Sequence, residues 1–224
     1  MGENLRIDGA FDYLPLIVSI LAIIIISTVR NIYSKKFRTQ IEGYFQPRYL
    51  DQIMREESNA TQTPMILLQI NGFLSFALCA YLVFNKYEFS QFESWGLFSL
   101  CFAGIVAVFT YHSILSLLTQ FYLQNDFGLD EHRYHNTVIY QIAGLALIPI
   151  NLLAAYAKFW NDIFLFIGIG IISISIIYKY MYASFRGIQL KLSVVYIILY
   201  LCTLEILPLV AILGVLMGEK VEIN

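Results

Sequence analysis

Apolar and polar positions alternate along this chain in blocks, not residue by residue. Six long apolar runs, about residues 13–29, 63–84, 95–122, 137–157, 162–182 and 193–217, are separated by stretches that hold most of the charges. A helix that crosses a bilayer needs about 20 mostly apolar residues, because hydrocarbon offers the backbone no hydrogen-bond partner. The pattern therefore predicts an all-α, polytopic helical bundle with six transmembrane helices. Pro64 stands in the first turn of the second run, where a missing N–H costs nothing. Trp95 and Tyr122 bracket the third run, at positions suited to the two interfaces. The fourth and fifth runs are joined by a few residues around Lys158 and Asn161, which predicts an antiparallel hairpin.

Charge sets the expected orientation. The first run has Glu3, Asp8 and Asp12 before it and Arg30, Lys35, Lys36 and Arg38 after it. A secretory signal has the opposite order, so this run reads as a retained helix with its N-terminus outside. On that basis ten Lys and Arg fall on the inner side (Arg30, Lys35, Lys36, Arg38, Arg48, Arg55, Arg133, Lys179, Arg186 and Lys191). Four (Arg6, Lys86, Lys158 and Lys220) fall outside. This bias places both termini on the non-cytoplasmic face.

The largest piece between runs is residues 30–62. Within it Tyr33, Phe37, Ile41, Tyr44 and Phe45 recur at helical spacing, with Lys35, Lys36, Arg38 and Glu42 elsewhere on the wheel. Pro47 interrupts, and Leu50, Ile53 and Met54 resume the apolar face. This predicts an in-plane amphipathic cytoplasmic segment over 33–54 whose basic residues meet anionic lipid. A helix packed on the ends of the bundle would show the same pattern. No internal repeat or linker divides the chain, so 1–224 reads as one integral membrane domain.

Composition narrows the classes of function. Apolar residues make up 58% and charged residues 13% of 224, too few charges for the surface of an ordinary soluble domain. The net charge of −2 gives no reason to expect nucleic acid as a partner. Cys79, Cys101 and Cys202 all fall in apolar runs and read as small hydrophobes. The sequon Asn59-Ala60-Thr61 falls in the segment placed in the cytoplasm and carries no weight.

The stretch YLCTLEILPL, residues 200–209, resembles the C-terminal signature of a family of multi-pass membrane proteins of unknown function from Bacteroidota. Elsewhere the likeness rests on helix order and aromatic content. The resemblance implies a bacterial inner-membrane location. It implies no activity and no catalytic residue.

Candidate chemistry lies in polar residues at bilayer depth. Glu205 stands at the centre of the sixth run, where an acidic residue costs about 2.5–3.5 kcal/mol on insertion scales. Pro208, three residues on, removes a backbone donor and frees the carbonyl of Leu204 beside that carboxyl. Such a kink can build a cation or proton site; a protonated Glu bonded to a neighbouring helix is the plainer reading. Asn71 and His112 each lie about three residues to the cytoplasmic side of their run's centre, within ~5 Å of Glu205 in depth. Gln69, Gln120 and Gln141 lie deeper towards the cytoplasm, and His112, Ser116 and Gln120 form one stripe at i, i+4 and i+8. A polar cleft would explain all of these, and inter-helix hydrogen bonds would explain each one singly.

The inner loop 124–136 holds Asp126, Asp130, Glu131, His132 and His135, whose spacing fits no defined metal motif. No metal or cofactor is expected, with His132, His135 and Asp130 as the weak candidates. Gly214 and Gly218, and Gly168, Gly170, Ser173 and Ser175, read as packing residues. With no catalytic motif, the expectation is a non-enzymatic scaffold or accessory component of a membrane complex. It would contact lipid and a membrane protein partner or further copies of itself. The alternative is a small proton- or cation-coupled transporter using Glu205, His112 and Asn71; an enzyme acting on lipid or quinone ranks third.

Overall fold

The computed structural model describes residues 13–34, 37–38, 41, 62–86, 93–123, 129–157 and 160–189; for 62, 115–123, 129–134 and 182–189 it describes the helical path alone. These residues form five helices: α1 (Tyr13–Ile32), α2 (Gln62–Lys86), α3 (Ser94–Leu123), α4 (Leu129–Tyr156) and α5 (Asn161–Gln189). All five are long and apolar enough to cross a membrane. Large apolar side chains such as Ile20, Ile24, Leu100, Ile163, Phe166 and Ile174 stay exposed on their outer faces. In water such a surface would drive aggregation. Such a surface suits hydrocarbon, and the five apolar helices suggest a multi-pass membrane protein.

The helices run up and down. Leu14 and Val18 of α1 meet Leu78 and Tyr81 near the far end of α2, and Leu97, Phe98 and Cys101 of α3 join the same buried cluster. The α2–α3 seam continues through Tyr81 against Phe98 and Phe73 against Phe109, the latter rings 5.0 Å apart and edge to face. Both pairings make neighbours antiparallel. The central pair, α2 with α4, is instead parallel. α3 packs mainly on α2, and α5 mainly on α4. In a bilayer, whose tails are as apolar as these side chains, such a bundle would rest on close packing and hydrogen bonds, not on burial of apolar surface from water.

Several sequence expectations change. The fourth helix begins at Leu129, not near 137, so Asp130, His132 and His135 are helical rather than residues of a loop. Two turns of propensity-neutral polar residues extend an apolar run because the helical backbone satisfies itself wherever it is long enough to propagate. α5 likewise continues to Gln189, past 182. The sixth run, 193–217, with Glu205, Pro208 and Cys202, lies outside the described residues, as does most of the 33–54 segment.

Candidate functional site

The parallel α2–α4 pair crosses at two glycines. A Cβ placed on Gly144 would stand 2.6 Å from the Cα of Gly72, inside any real contact distance. Only glycine at 144 allows the backbones so near. Two side-chain amides then clamp the crossing, one on each side. Gln141 Nε2 donates to the Met65 carbonyl at 2.9 Å, and Asn151 Nδ2 donates to the Ser75 carbonyl at 2.8 Å. Each carbonyl is placed in its helix to serve as an acceptor, and its second lone pair takes the bond from across the seam. Ser75 Oγ in turn donates to the Asn71 carbonyl, so the network runs from α4 into α2. Pro149 sits one turn from this clamp inside α4, where the missing donor leaves the Leu145 carbonyl without its helical bond.

Not every polar group in the seam is satisfied. Asn71 is wholly buried, yet neither Nδ2 nor Oδ1 has a hydrogen-bond partner. The Oε1 atoms of Gln69 and Gln141 are in the same condition. On the α2 wheel Asn71 shares its side with Ser75 and Leu78 and lies about 160° from Phe73, which faces α3. Gln141 donates across the α2–α4 seam, and Asn71 is buried on the side of α2 turned away from the helix that carries His112.

A second polar region lies on the other side of the α2–α4 pair. Tyr140 of α4 forms the floor between α3 and α5, with Phe109 edge to face at 6.0 Å and Phe76 at 6.1 Å. Lys179 of α5, only 5% exposed, holds its ammonium 5.7 Å from the centre of the Tyr140 ring and 5.6 Å from that of Tyr180. Such contacts stabilise a desolvated cation by about 2 kcal/mol or more. Its charge also acts on His112, on α3. His135 is buried as well, its ring 6.0 Å from Tyr178. The sequence pattern had placed Lys179 among the inner-side cations that set orientation. Its side chain is buried, in the α5 stripe that also carries Leu165, Gly168 and Ser175.

The remaining candidates divide. Gln120, Asp130 and His132 are helical, with side chains outside the described residues. Among the described residues no group of three or more His, Cys, Asp or Glu could hold a metal. Cys79 and Cys101 are buried free thiols, and Gly168 packs with its Cβ position 3.3 Å from Cys79 Sγ. Gly170 has open space around it, and the Ser173 and Ser175 hydroxyls bond back to their own helix. Lys86 and Asp162 form an ion pair that ties the end of α2 to the start of α5. Sequence reasoning missed the Gly72–Gly144 crossing and the role of Lys179. The available signal was a glycine near the centre of two separate apolar runs, each with a buried-type amide within one turn.

No curated protein and no solved structure matches the chain. A family described as Domain of unknown function (DUF4271) matches residues 16–216, a span that runs from the first turn of α1 through α5 and nearly the whole sixth run. With its up-and-down bundle of apolar helices, this chain belongs to the DUF4271 family.

Proposed function

We propose that the chain is a non-enzymatic scaffold or accessory component of a membrane complex, seated in a bacterial inner membrane with six spans and both termini periplasmic. One observation carries the reading: the amides at bilayer depth hold helices together. Gln141 and Asn151 donate across the Gly72–Gly144 crossing to backbone carbonyls, a bond pattern that fixes a frame and leaves those donors no ligand to serve. The lipid bilayer and a membrane protein, or further copies of this chain, are the partners. Purification in mild detergent tests this: the protein should leave the column with a stoichiometric membrane partner or as an oligomer. A monomer that moves protons or cations across proteoliposomes would overturn it.

The carrier reading has one observation in its favour, the buried Asn71 amide without a partner. It draws on Glu205 and His112 for the rest of its path. The turn of Asn71 away from α3 counts against a single site shared with His112. Orientation is open to direct measurement. Reporters fused after Arg55, Arg133 and Arg186 should report cytoplasm, and those after Asn85, Lys158 and Asn224 the outside. Any inverted reporter defeats the topology.

A further inference from the structure

We propose that one ordered water molecule bridges Gln69 of α2 and Gln141 of α4 on the N-terminal side of the Gly72–Gly144 crossing, donating a hydrogen to the Oε1 atom of each. Both residues are amides set within apolar runs. Gln141 is 1% exposed, and with Nε2 committed to the Met65 carbonyl its Oε1 has no hydrogen-bond partner. Gln69 is half-buried, but its Oε1 is buried and equally unpartnered. A buried amide oxygen without a donor carries the whole cost of its lost hydration.

The geometry of the seam brings the two amides to one place. The Met65 carbonyl accepts twice, from the Gln69 backbone N–H within α2 and from Gln141 Nε2 across the seam at 2.9 Å. The Gln141 amide therefore stands on the turn from which Gln69 rises. A helical side chain covers the turn N-terminal to its own Cα, which for Gln69 is that same turn. The contact line of α4 on α2 agrees. Ser75 and Gln69 lie about 60° to either side of Gly72 on the α2 wheel. Past the crossing α4 bonds on the Ser75 side; before it, α4 has swung to the side of Met65 and Gln69.

Two acceptors that share a gap repel each other until a group with hydrogens stands between them. The Met65 carbonyl already has both lone pairs in use, so the two amide oxygens are what the gap offers. A hard cation takes about six oxygens. A water has two hydrogens to give and is held by about two to four polar partners. Met65 lies in the first turn of α2, so water reaches the gap from the end of the span and not through hydrocarbon. The bridge does not depend on which function the bundle serves.

Two measurements on the full chain in mild detergent test the proposal. The first is nuclear magnetic resonance with nitrogen-15 in the glutamine side-chain amides, the Gln141 signal being assigned by its loss in Gln141→Leu. The Gln141 amide protons should show a through-space contact to a long-lived water. In Gln69→Met that contact should be lost while the backbone amide spectrum is kept. No water contact in the unsubstituted protein overturns the bridge, and so does a contact that survives Gln69→Met. The second is the thermal midpoint in sodium, potassium and choline chloride at equal ionic strength, which should be the same in all three. A midpoint raised by one of the metal ions alone assigns the gap to a cation and overturns the water.

Discussion

The two sides of the α2–α4 pair solve the problem of polar groups in an apolar bundle in opposite ways. At the seam itself, glycines bring backbones together and the amides of Gln141 and Asn151 reach carbonyls less than 3 Å away. On the α3–α5 side, Phe109 packs edge to face on Tyr140 and a cation rests against two tyrosine rings. The first arrangement is short, neutral and rigid. The second is charged and aromatic, with the ammonium 5.7 and 5.6 Å from two ring centres. A neutral clamp and a charged, aromatic contact are thus built around the same two helices. Substitutions that distinguish them should differ in size and in sign.

The largest effect should come from Gly144→Ala. Its methyl group would need the position now 2.6 Å from the Gly72 Cα, which is backbone and cannot rotate aside. The helices must separate, and both amide bonds lengthen with them. Overpacking of this kind costs about 1–3 kcal/mol, with the lost hydrogen bonds in addition. Thermal unfolding in detergent should show a clear drop in midpoint. An unchanged midpoint would mean that α2 and α4 do not cross at these glycines.

Asn71→Leu should act with the opposite sign. Leucine keeps the branch at Cγ and replaces two unsatisfied polar atoms with methyl groups. Removing an unmet buried donor and acceptor should stabilise the fold by about 1 kcal/mol or more. If the protein is a carrier that uses this amide, the same variant will be more stable and inactive. A destabilised Asn71→Leu would show that the amide is satisfied, by water or by another group.

The legible part of this molecule was its helices. A run of 20 or more apolar residues allows one backbone solution in lipid, and α1, α2 and α3 follow their runs closely. Their ends were less legible, because polar residues such as His132 and His135 can extend a helix as readily as they can form a loop. The candidate site was legible only in inventory. Asn71 and Gln141 stood out as costly residues, but their use depends on helix rotation, which nearly uniform apolar runs leave undetermined. Lys179 was hidden for a related reason. A lysine near the end of a run looks like a snorkelling interface cation until the neighbouring tyrosines are placed.

Next in size come Gln141→Leu and Asn151→Leu, each of which deletes one cross-seam bond. Interhelical hydrogen bonds in membranes average about 0.6 kcal/mol and reach about 1.7. Each variant should fall in that range. The pair should cost less than the sum if the bonds hold a single crossing in register, because each single variant already loses the coupling between them. Simple additivity would make them independent contacts, and the seam less rigid than the glycine distance implies.

The smallest effect, and the sharpest test of helix rotation, belongs to Gly72→Ala. Gly72 and Gly144 face each other, so equal penalties would be the simple expectation. The geometry says otherwise. The Cβ position of Gly144 aims at the Gly72 backbone at 2.6 Å, whereas that of Gly72 passes the crossing and meets the Tyr140 carbonyl oxygen at 3.4 Å. In a parallel pair both Cβ vectors tilt towards the same end, so two residues in contact cannot each point at the other. Gly72→Ala should therefore change stability by about 0.5 kcal/mol or less, close to Gly104→Ala, whose methyl group would enter open space. The ratio of the two glycine effects reads the rotation of α2 about its axis. If Gly72→Ala proves as costly as Gly144→Ala, α2 must be turned from the position described, and Asn71 would turn with it towards α3 and His112.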